Sequence, residues 1–214
     1  MSGPGVITID GPAASGKSSV AREVARRLGI PFVSSGLLYR GVGWLALEGG
    51  LKQPTEVELL AELEQHSVTL VPGLQGNLLM IDDVPRYAEL HTDEIDRHVS
   101  HVASFGAVRD WVNAQIRELQ GSFVIEGRDM GTVVFPHADH KFYLDAPVGI
   151  RARRRLGERL AELAVLEEQL ARRDELDARQ LQPAADAVLI DTASLDVAGV
   201  ADVIIGHIQE GSPA

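Results

Sequence analysis

The sequence predicts an α/β fold: a five-stranded parallel sheet with helices on both faces. Short apolar runs rich in β-branched and aromatic residues recur along the chain, amphipathic helical patterns follow several of them, and Gly or Pro separates the elements. Strands that alternate with helices favour parallel pairing, with helices covering both sheet faces. The five predicted strands are 6–9, 32–33, 123–125, 142–144 and 187–190.

The helices beside these strands are predicted from apolar spacing and from the glycines that follow them. After the first strand, apolar residues recur every four positions from Val20, and Gly29 ends the pattern. A second helix is expected over 37–47, closed by the glycines at 49 and 50, and a last one over the apolar positions between 197 and 208.

Two segments interrupt this alternation. Residues 67–71 and 78–81 predict an inserted hairpin, and one helical stretch from 92 to 119 is expected to return the chain to the sheet. Residues 151–173 carry many charges of both signs, which favours a solvated pair of helices.

Composition limits the possible partners. A chain of 214 residues with 45% hydrophobic content is expected to form one domain, and the absence of cysteine excludes disulfides and thiolate ligands. A net charge of −11 opposes non-specific binding to nucleic acid or to anionic membranes, and no signal or membrane-spanning pattern is present. We expect a cytoplasmic monomer whose positive charge, almost all arginine, is concentrated where anions bind.

The strongest local motif follows the first strand and has the form G-x-x-x-x-G-K-[ST]. In a strand–loop–helix context it is typical of a phosphate-binding loop: backbone amides surround the phosphates, Lys17 reaches the β- and γ-phosphates and the Ser18 hydroxyl ligates Mg²⁺. The pattern predicts binding of ATP or GTP, with a plain glycine turn as the alternative. The predicted ATP-binding residues here are Gly11, Pro12, Ala13, Ala14, Ser15, Gly16, Lys17, Ser18 and Ser19.

Several separated motifs, the phosphate loop among them, carry a resemblance to one family. They are residues 9–18, Ser35-Gly36-Leu37-Leu38-Tyr39-Arg40, residues 99–103 with 108–109, Glu126 to Pro136 and residues 183–187. Along essentially the whole chain the sequence resembles bacterial cytidylate kinases, which are nucleoside monophosphate kinases of pyrimidine nucleotide metabolism. The resemblance implies a P-loop NTP hydrolase-type fold, an NMP-binding insertion with its return helix over 52–120, a short lid over 149–172, and transfer from ATP to CMP or dCMP.

The resemblance also implies which residues meet the acceptor nucleotide. Arg40 and Arg128 would hold its phosphate, and Ser100, Arg109 and Asp129 would surround the cytosine. From spacing alone, a structural pair at a strand end is the less favoured alternative for residues 128–129. The full set of implied CMP-binding residues is Ser35, Tyr39, Arg40, Ser100, Arg109, Arg128, Asp129, Arg173 and Asp177.

Four arginines in five residues open the predicted lid. On a helix Arg151, Arg154 and Arg155 share one face, whereas Arg153 points elsewhere. Such a cluster repels itself unless an anion compensates it, so we expect Arg151 to bind ATP and Arg154 and Arg155 to act in catalysis with Lys17 and Arg128. The alternative is a solvated face.

Two features leave alternatives open. Asp10 and Glu126 both end predicted strands, and either could hold Mg²⁺ through water. Asp177 and Arg179 are closer together in sequence than in the family. Two residues apart, their side chains would point to different sides of a continuing helix, so we predict that the helix carrying Arg173 and Asp177 ends at or just beyond Asp177.

Rival functions remain at this point. A P-loop kinase of a small hydroxyl substrate, such as shikimate kinase, would need an acid to take the hydroxyl proton. A nucleotide-sensing module would bind ATP without turnover. A switch GTPase is disfavoured because none of the three lysines follows an asparagine, as its base-reading motif requires.

Overall fold

The structure is a computed structural model that describes residues 4–74, 76–157 and 162–210. The chain divides into two compact units, Met1–Phe32 with Gly121–Ala214 and Val33–Gln120. In chain order the strands and helices are β1 (Val6–Asp10), α1 (Lys17–Leu28), β2 (Phe32–Ser34), α2 (Gly36–Glu48), α3 (Glu56–Gln65), β3 (Val68–Val71), β4 (Leu78–Ile81), β5 (Val84–Arg86), α4 (Asp93–Val102), α5 (Gly106–Arg117), β6 (Phe123–Gly127), β7 (His140–Asp145), α6 (Val148–Leu156), α7 (Leu163–Leu176), β8 (Val188–Asp191) and α8 (Val197–Glu210).

The predicted five-stranded parallel sheet is confirmed. Its order is β2-β6-β1-β7-β8, and β1 pairs in parallel with both β6 and β7, while β7 pairs with β8. The strands are apolar along most of their length because helices cover them; Ile7, Ile9, Val124 and Leu144 are fully buried in one cluster with residues of α1 and α8.

The first helix begins and ends at glycines for steric reasons. Gly16 precedes α1 with φ +93°, and Gly29 follows it with φ +67°, where its N–H donates to the carbonyl of Ala25. Both backbone conformations are left-handed and favour a residue without a Cβ. The predicted end of this helix is confirmed.

The strand ends position the site. Asp10 lies beside Gly127 and Tyr143, and Asp145 lies beside Asp191 in the parallel register. The carboxyl ends of parallel strands meet at one edge of a sheet, so the loops that follow β1, β6, β7 and β8 converge there.

The second unit contains the inserted strands. β3 and β4 pair antiparallel as predicted, and β5 extends them to a three-stranded sheet. Helix α3, which the sequence patterns did not indicate, begins with a capping box: Thr55 accepts from the N–H of Glu58, and the Glu58 side chain accepts from the N–H of Thr55.

The single helical stretch expected over 92–119 is wrong, because the structure divides it into α4 and α5. Phe105 has extended backbone angles, φ −81° and ψ 127°, and α5 starts anew at Gly106. The apolar positions carry this break: Val102 and Val108 are six residues apart, which would place them on different sides of one continuous helix.

The predicted helical pair is α6 and α7, and residues 158–161 between them lie outside the described residues. Helix α7 ends at Leu176 with Asp177 as its cap residue, which confirms the predicted stop. The expectation of a fully solvated pair is wrong, since α6 buries Arg151 and α7 buries Leu166 and Leu170. Among the described residues, no helix is both long and apolar enough to cross a bilayer.

Two helical glycines predict opposite effects of the same substitution. A Cβ on Gly41 in α2 would lie 2.3 Å from Cδ2 of the fully buried Leu79, whereas a Cβ on Gly206 in α8 would meet nothing within 4 Å. We expect Gly41→Ala to lower the free energy of unfolding by about 1–3 kcal/mol through overpacking, and Gly206→Ala to raise it by up to about 1 kcal/mol through helix propensity.

Urea titration followed by circular dichroism tests the pair. Trp44 and Trp111 both lie in Val33–Gln120, so tryptophan fluorescence follows the unit that holds Gly41. Equal effects of the two substitutions would contradict the packing argument.

Candidate functional site

The loop after β1 has the backbone that a phosphate-binding loop requires. Gly11 has φ +148°, and a Cβ there would lie 2.1 Å from the carbonyl oxygen of Leu144, so no other residue fits without moving the backbone. Ala14 is a non-glycine residue in the left-handed region, with φ +58°. The loop therefore turns tightly between β1 and α1, in the strand–loop–helix context that the motif predicts.

A cavity of about 470 Å³ opens beside this loop, within the range of small-molecule sites. Of the predicted ATP-binding residues, the run from Ala14 to Ser19 lines it, and so do Arg154 and Arg155 of α6. Gly11, Pro12, Ala13 and Arg151 do not line it. The hydroxyl of Ser15 is buried and has no hydrogen-bond partner among the described residues, as expected of a group that faces a phosphate.

Cationic side chains hold the carbonyl oxygens of the loop. Four cationic side chains each donate to a different loop carbonyl, which leaves the loop amides as the groups that face an anion. The contacts are Arg128 Nη1 to Gly11 O (2.7 Å), Lys17 Nζ to Pro12 O (2.8 Å), Arg151 Nη1 to Ala13 O (3.1 Å) and Arg154 Nη1 to Ser15 O (3.3 Å).

Burial changes the acidity of the loop lysine. The pKa of Lys17 falls from its ordinary 10.5 to about 7, first because burial penalises the ammonium and second because the Arg128 guanidinium lies nearby; Glu126 acts in the opposite direction. An anion in the cavity would favour the charged amine and raise its pKa again.

The two carboxylates considered for Mg²⁺ are both buried. The oxygens of Asp10 accept the backbone N–H groups of Met130 (2.9 Å) and Gly131 (2.8 Å), and burial nevertheless raises its pKa to about 6. Glu126 lies in β6 opposite Ile9. The exposed Ser18 lines the cavity, so its hydroxyl, with a carboxylate acting through water, fits the oxygen ligands that Mg²⁺ prefers.

Three residues predicted for the acceptor side lie together: Arg128, which follows β6, and Arg173 and Asp177 from the end of α7. The Nε atom of Arg128 is 3.1 Å from Oδ2 of Asp177, and Nε of Arg173 is 3.8 Å from the same oxygen. Asp129 follows directly and is 4% exposed. Since Arg128 also donates to the loop at Gly11, this cluster adjoins the phosphate loop.

The remaining predicted acceptor residues belong to the other unit, Val33–Gln120. Arg40 in α2 donates to the carbonyl of Leu90 at 2.8 Å and forms an ion pair with Asp96 of α4. Ser35 and Tyr39 are buried at the start of α2, while Ser100 in α4 and Arg109 in α5 are half-buried.

Sequence reasoning missed the segment after β8 as part of the cavity. Thr192, Leu195, Asp196, Val197 and Val200 line it. Thr192 is 2% exposed and its Oγ1 accepts from Arg154 Nη1 at 2.9 Å, while lying within donating distance of the carbonyls of Asp145 and Ser15. The signal was the strand itself: a fifth parallel strand brings its carboxyl end to the same sheet edge as the phosphate loop.

A comparison with known protein families decides the lineage. The model of the family described as cytidylate kinase matches residues 7–210. The chain belongs to the cytidylate kinase family. The cytidylate kinase of Thermus thermophilus is 48% identical over 205 residues, which are 96% of this chain and 99% of that protein. The cytidylate kinase of Deinococcus radiodurans is 47% identical over 205 residues, covering 96% of this chain and 100% of that one.

Solved structures place this cytidylate kinase family member among P-loop kinase folds. Shikimate kinase from Bacteroides thetaiotaomicron aligns with a TM-score of 0.53 at 13% identity, covering 96% of each chain. An uncharacterized protein from Eubacterium ventriosum aligns with a TM-score of 0.51 at 15% identity, over 95% of this chain and 98% of that one. At these identities the likeness concerns the fold alone, and it agrees with the predicted fold class.

The contact between Thr192 and Arg154 predicts an energetic coupling. Thr192→Val keeps the side-chain volume and removes the hydroxyl, so it should lower the free energy of unfolding by about 1–3 kcal/mol. In an Arg154→Met background the same change should cost less, with a coupling energy of about 0.5–3 kcal/mol, because the guanidinium no longer needs the hydroxyl. Urea unfolding of the four proteins in the cycle measures it, and additive effects would show that the contact contributes nothing.

Proposed function

We propose that this chain transfers the γ-phosphoryl group of ATP to CMP, and to dCMP, giving ADP and CDP or dCDP. The observation that carries the proposal is the adjacency of two sites in one unit. The cavity beside the phosphate loop suits a nucleotide donor, and the Arg128–Asp177–Arg173 cluster begins where Arg128 contacts the loop at Gly11. Membership in the cytidylate kinase family supports the same donor and acceptor.

The proposed roles follow the chemistry of each side chain. Lys17 binds the β- and γ-phosphates, the amides of the loop surround them, and Arg154 and Arg155 from the cavity wall neutralise charge on the transferring group. Arg128 holds the acceptor phosphate by charge-assisted hydrogen bonds, and the family resemblance implies the same role for Arg40. Tyr39, Ser35, Ser100, Arg109, Asp129, Arg173 and Asp177 complete the proposed acceptor set.

No general base is needed in this mechanism. The second pKa of a phosphate monoester is near 6, so the acceptor carries a nucleophilic oxyanion at neutral pH. An acceptor oxygen attacks the γ-phosphorus in line, the bond from that phosphorus to the β–γ bridging oxygen breaks, and ADP leaves. The protein contributes positioning and charge stabilisation.

Mg²⁺ is the proposed metal, with Ser18 as its protein ligand. When bound with ATP it would supply charge neutralisation on the phosphates. The exposed hydroxyl of Ser18 lies on the wall of the cavity and the buried Asp10 and Glu126 lie at the strand ends behind the loop.

The remaining parts of the proposal concern organisation and surroundings. Residues 52–120 are proposed as the acceptor-binding insertion and 149–172 as the lid of one catalytic domain, with 158–161 outside the described residues. We expect a cytoplasmic monomer with nucleotides as its partners and no nucleic acid or membrane partner, which gel filtration with light scattering would test for the oligomeric state.

A substrate panel tests the proposed activity. ADP release is measured against CMP, dCMP, UMP, AMP and shikimate at fixed MgATP. The proposal requires that CMP or dCMP has the highest kcat/KM of the five acceptors. Preferential turnover of shikimate would favour a hydroxyl kinase, and ATP binding without turnover on any acceptor would favour a nucleotide sensor.

The lowered pKa of Lys17 predicts that the protein takes up a proton when ATP binds. Its pKa of about 7 leaves the amine partly neutral in the free protein, and bound phosphates favour the charged form. Uptake should therefore be small at pH 6, about half a proton per MgATP at pH 7 and close to one at pH 8. Calorimetry in buffers of different ionisation enthalpy measures it. Lys17→Ala should lose both the uptake and phosphoryl transfer while remaining folded; wild-type turnover in that variant would refute the role of Lys17.

We expect the Asp129 carboxylate to discriminate between cytosine and uracil. A carboxylate accepts from the exocyclic amine of cytosine, whereas uracil presents an acceptor oxygen at that position. Asp129→Asn should therefore narrow the CMP/UMP ratio of kcat/KM by an amount equivalent to about 1–3 kcal/mol. Asp83→Asn is the matched control: Asp83 is exposed in the β4–β5 turn, with a left-handed φ of +61° that Asn also adopts. An unchanged ratio in Asp129→Asn would remove this residue from base recognition.

A further inference from the structure

Arg151 differs from the other arginines near the phosphate loop because its side chain is almost completely buried, with 6% exposed. Its Nε donates to the carbonyl of Ala146 at 2.9 Å, and Nη1 donates to the carbonyl of Ala13 at 3.1 Å. The same guanidinium makes a two-pronged ion pair with Asp174 of α7, at 3.2 and 2.5 Å. All of these partners are protein atoms, and Arg151 does not line the cavity.

Apolar packing joins the same elements independently of these hydrogen bonds. Ala13 of the loop lies in a small buried cluster with Ala152 of α6 and with Leu166 and Leu170 of α7. The tip of the phosphate loop therefore packs on both α6 and α7. Arg151 of α6 adds hydrogen bonds to the loop at Ala13 and to α7 at Asp174.

The geometry of a peptide group gives this contact a consequence for binding. A trans peptide is planar, with its C=O and N–H pointing in opposite directions, and the described chain has no cis peptide. When Arg151 holds the Ala13 carbonyl, the N–H of Ala14 points away from the guanidinium. Ala14 lines the cavity and has the strained φ of +58°, a conformation that persists only where its surroundings hold it.

We propose that Arg151 and Asp174 form a clamp that fixes the Ala13–Ala14 peptide for phosphate binding, and that Arg151 is a positioning residue with no direct contact to ATP. The ligand in this proposal rests on the proposed function. The clamp replaces the sequence-based expectation that Arg151 binds ATP. It also ties the loop to α7, the helix that carries Arg173 and ends at Asp177.

Two substitutions separate the clamp from a direct contact with ATP. Arg151→Met removes the guanidinium and keeps an unbranched side chain, while Asp174→Asn leaves the arginine charge in place and removes its carboxylate partner. The affinity for MgATP is measured by calorimetry in the absence of CMP. If the clamp orients the loop, both variants raise the Kd for MgATP by roughly tenfold to a hundredfold, and the double variant is no weaker than the weaker single one.

Other outcomes overturn the proposal. A higher Kd in Arg151→Met with an unchanged or lower Kd in Asp174→Asn would mean that the guanidinium meets ATP directly. An unchanged Kd in both variants, with lower melting temperatures, would mean that the pair only stabilises the fold. If Arg151→Met does not fold, Asp174→Asn decides alone, since a raised Kd supports the clamp and an unchanged Kd refutes it.

Arg153→Met is the matched control, because Arg153 is an exposed arginine on the same helix. It removes the same charge without touching the loop, so its Kd for MgATP should equal that of the wild type. A rise equal to that of Arg151→Met would reduce the effect to general electrostatics and overturn the clamp. The wild-type assay with CMP is separate: its failure would refute the proposed function, whereas the binding results test the clamp.

Discussion

A loop that turns its amide groups toward an anion must turn carbonyl groups elsewhere, and those buried carbonyl oxygens need donors of their own. In this protein the donors are cations. Lys17, Arg128, Arg151 and Arg154 each hold one carbonyl of the loop. The cost of arranging so much positive charge at one place in a chain of net charge −11 is offset locally, by Asp174 beside Arg151 and by Asp177 beside Arg128.

Burial shifts the pKa values of two groups beside the loop in opposite directions. It lowers the pKa of Lys17 to about 7 and raises that of Asp10 to about 6, because each charged form loses water. Arg128 and Arg173 add to the lowering at Lys17 by repulsion between like charges. An entering phosphate would relieve that repulsion, so the electrostatics that disfavour a charged lysine in the free protein favour anion binding once the anion is present.

The sheet and the phosphate loop could be predicted from sequence because local patterns determine them. A β-branched run that ends at Asp10, followed by glycines at positions where a Cβ would clash or the backbone is left-handed, encodes strand, loop and helix over residues 6–28. The break at Phe105 also has a local signal, the spacing of six residues between Val102 and Val108. Periodicity alone does not reveal it, because each half of the stretch is separately periodic.

The parts that could not be predicted depend on contacts between distant segments. Thr192 joins Arg154 to the loop across 38 residues, and Arg151 reaches Ala13 across 138. Helical periodicity correctly separates Arg153, which is exposed, from the other three arginines of the run, which turn inward. Periodicity does not distinguish an inward arginine that lines the cavity from one that is enclosed by protein. That distinction depends on Asp174, whose place beside Arg151 comes from the packing of α7 on α6.

The end of α7 is where spacing and packing act together. An exposed ion pair of Arg173 and Asp177, four residues apart on one helix, would stabilise the folded protein by only about 0.3 kcal/mol. Asp177 is instead 8% exposed, and its nearer partner is Arg128 at 3.1 Å, against 3.8 Å to Arg173. A buried carboxylate between two guanidinium groups fixes the arginine that also holds Gly11. Because α7 stops at Leu176, its cap residue turns toward the sheet edge, and the short spacing to Arg179 no longer conflicts with a role for Asp177.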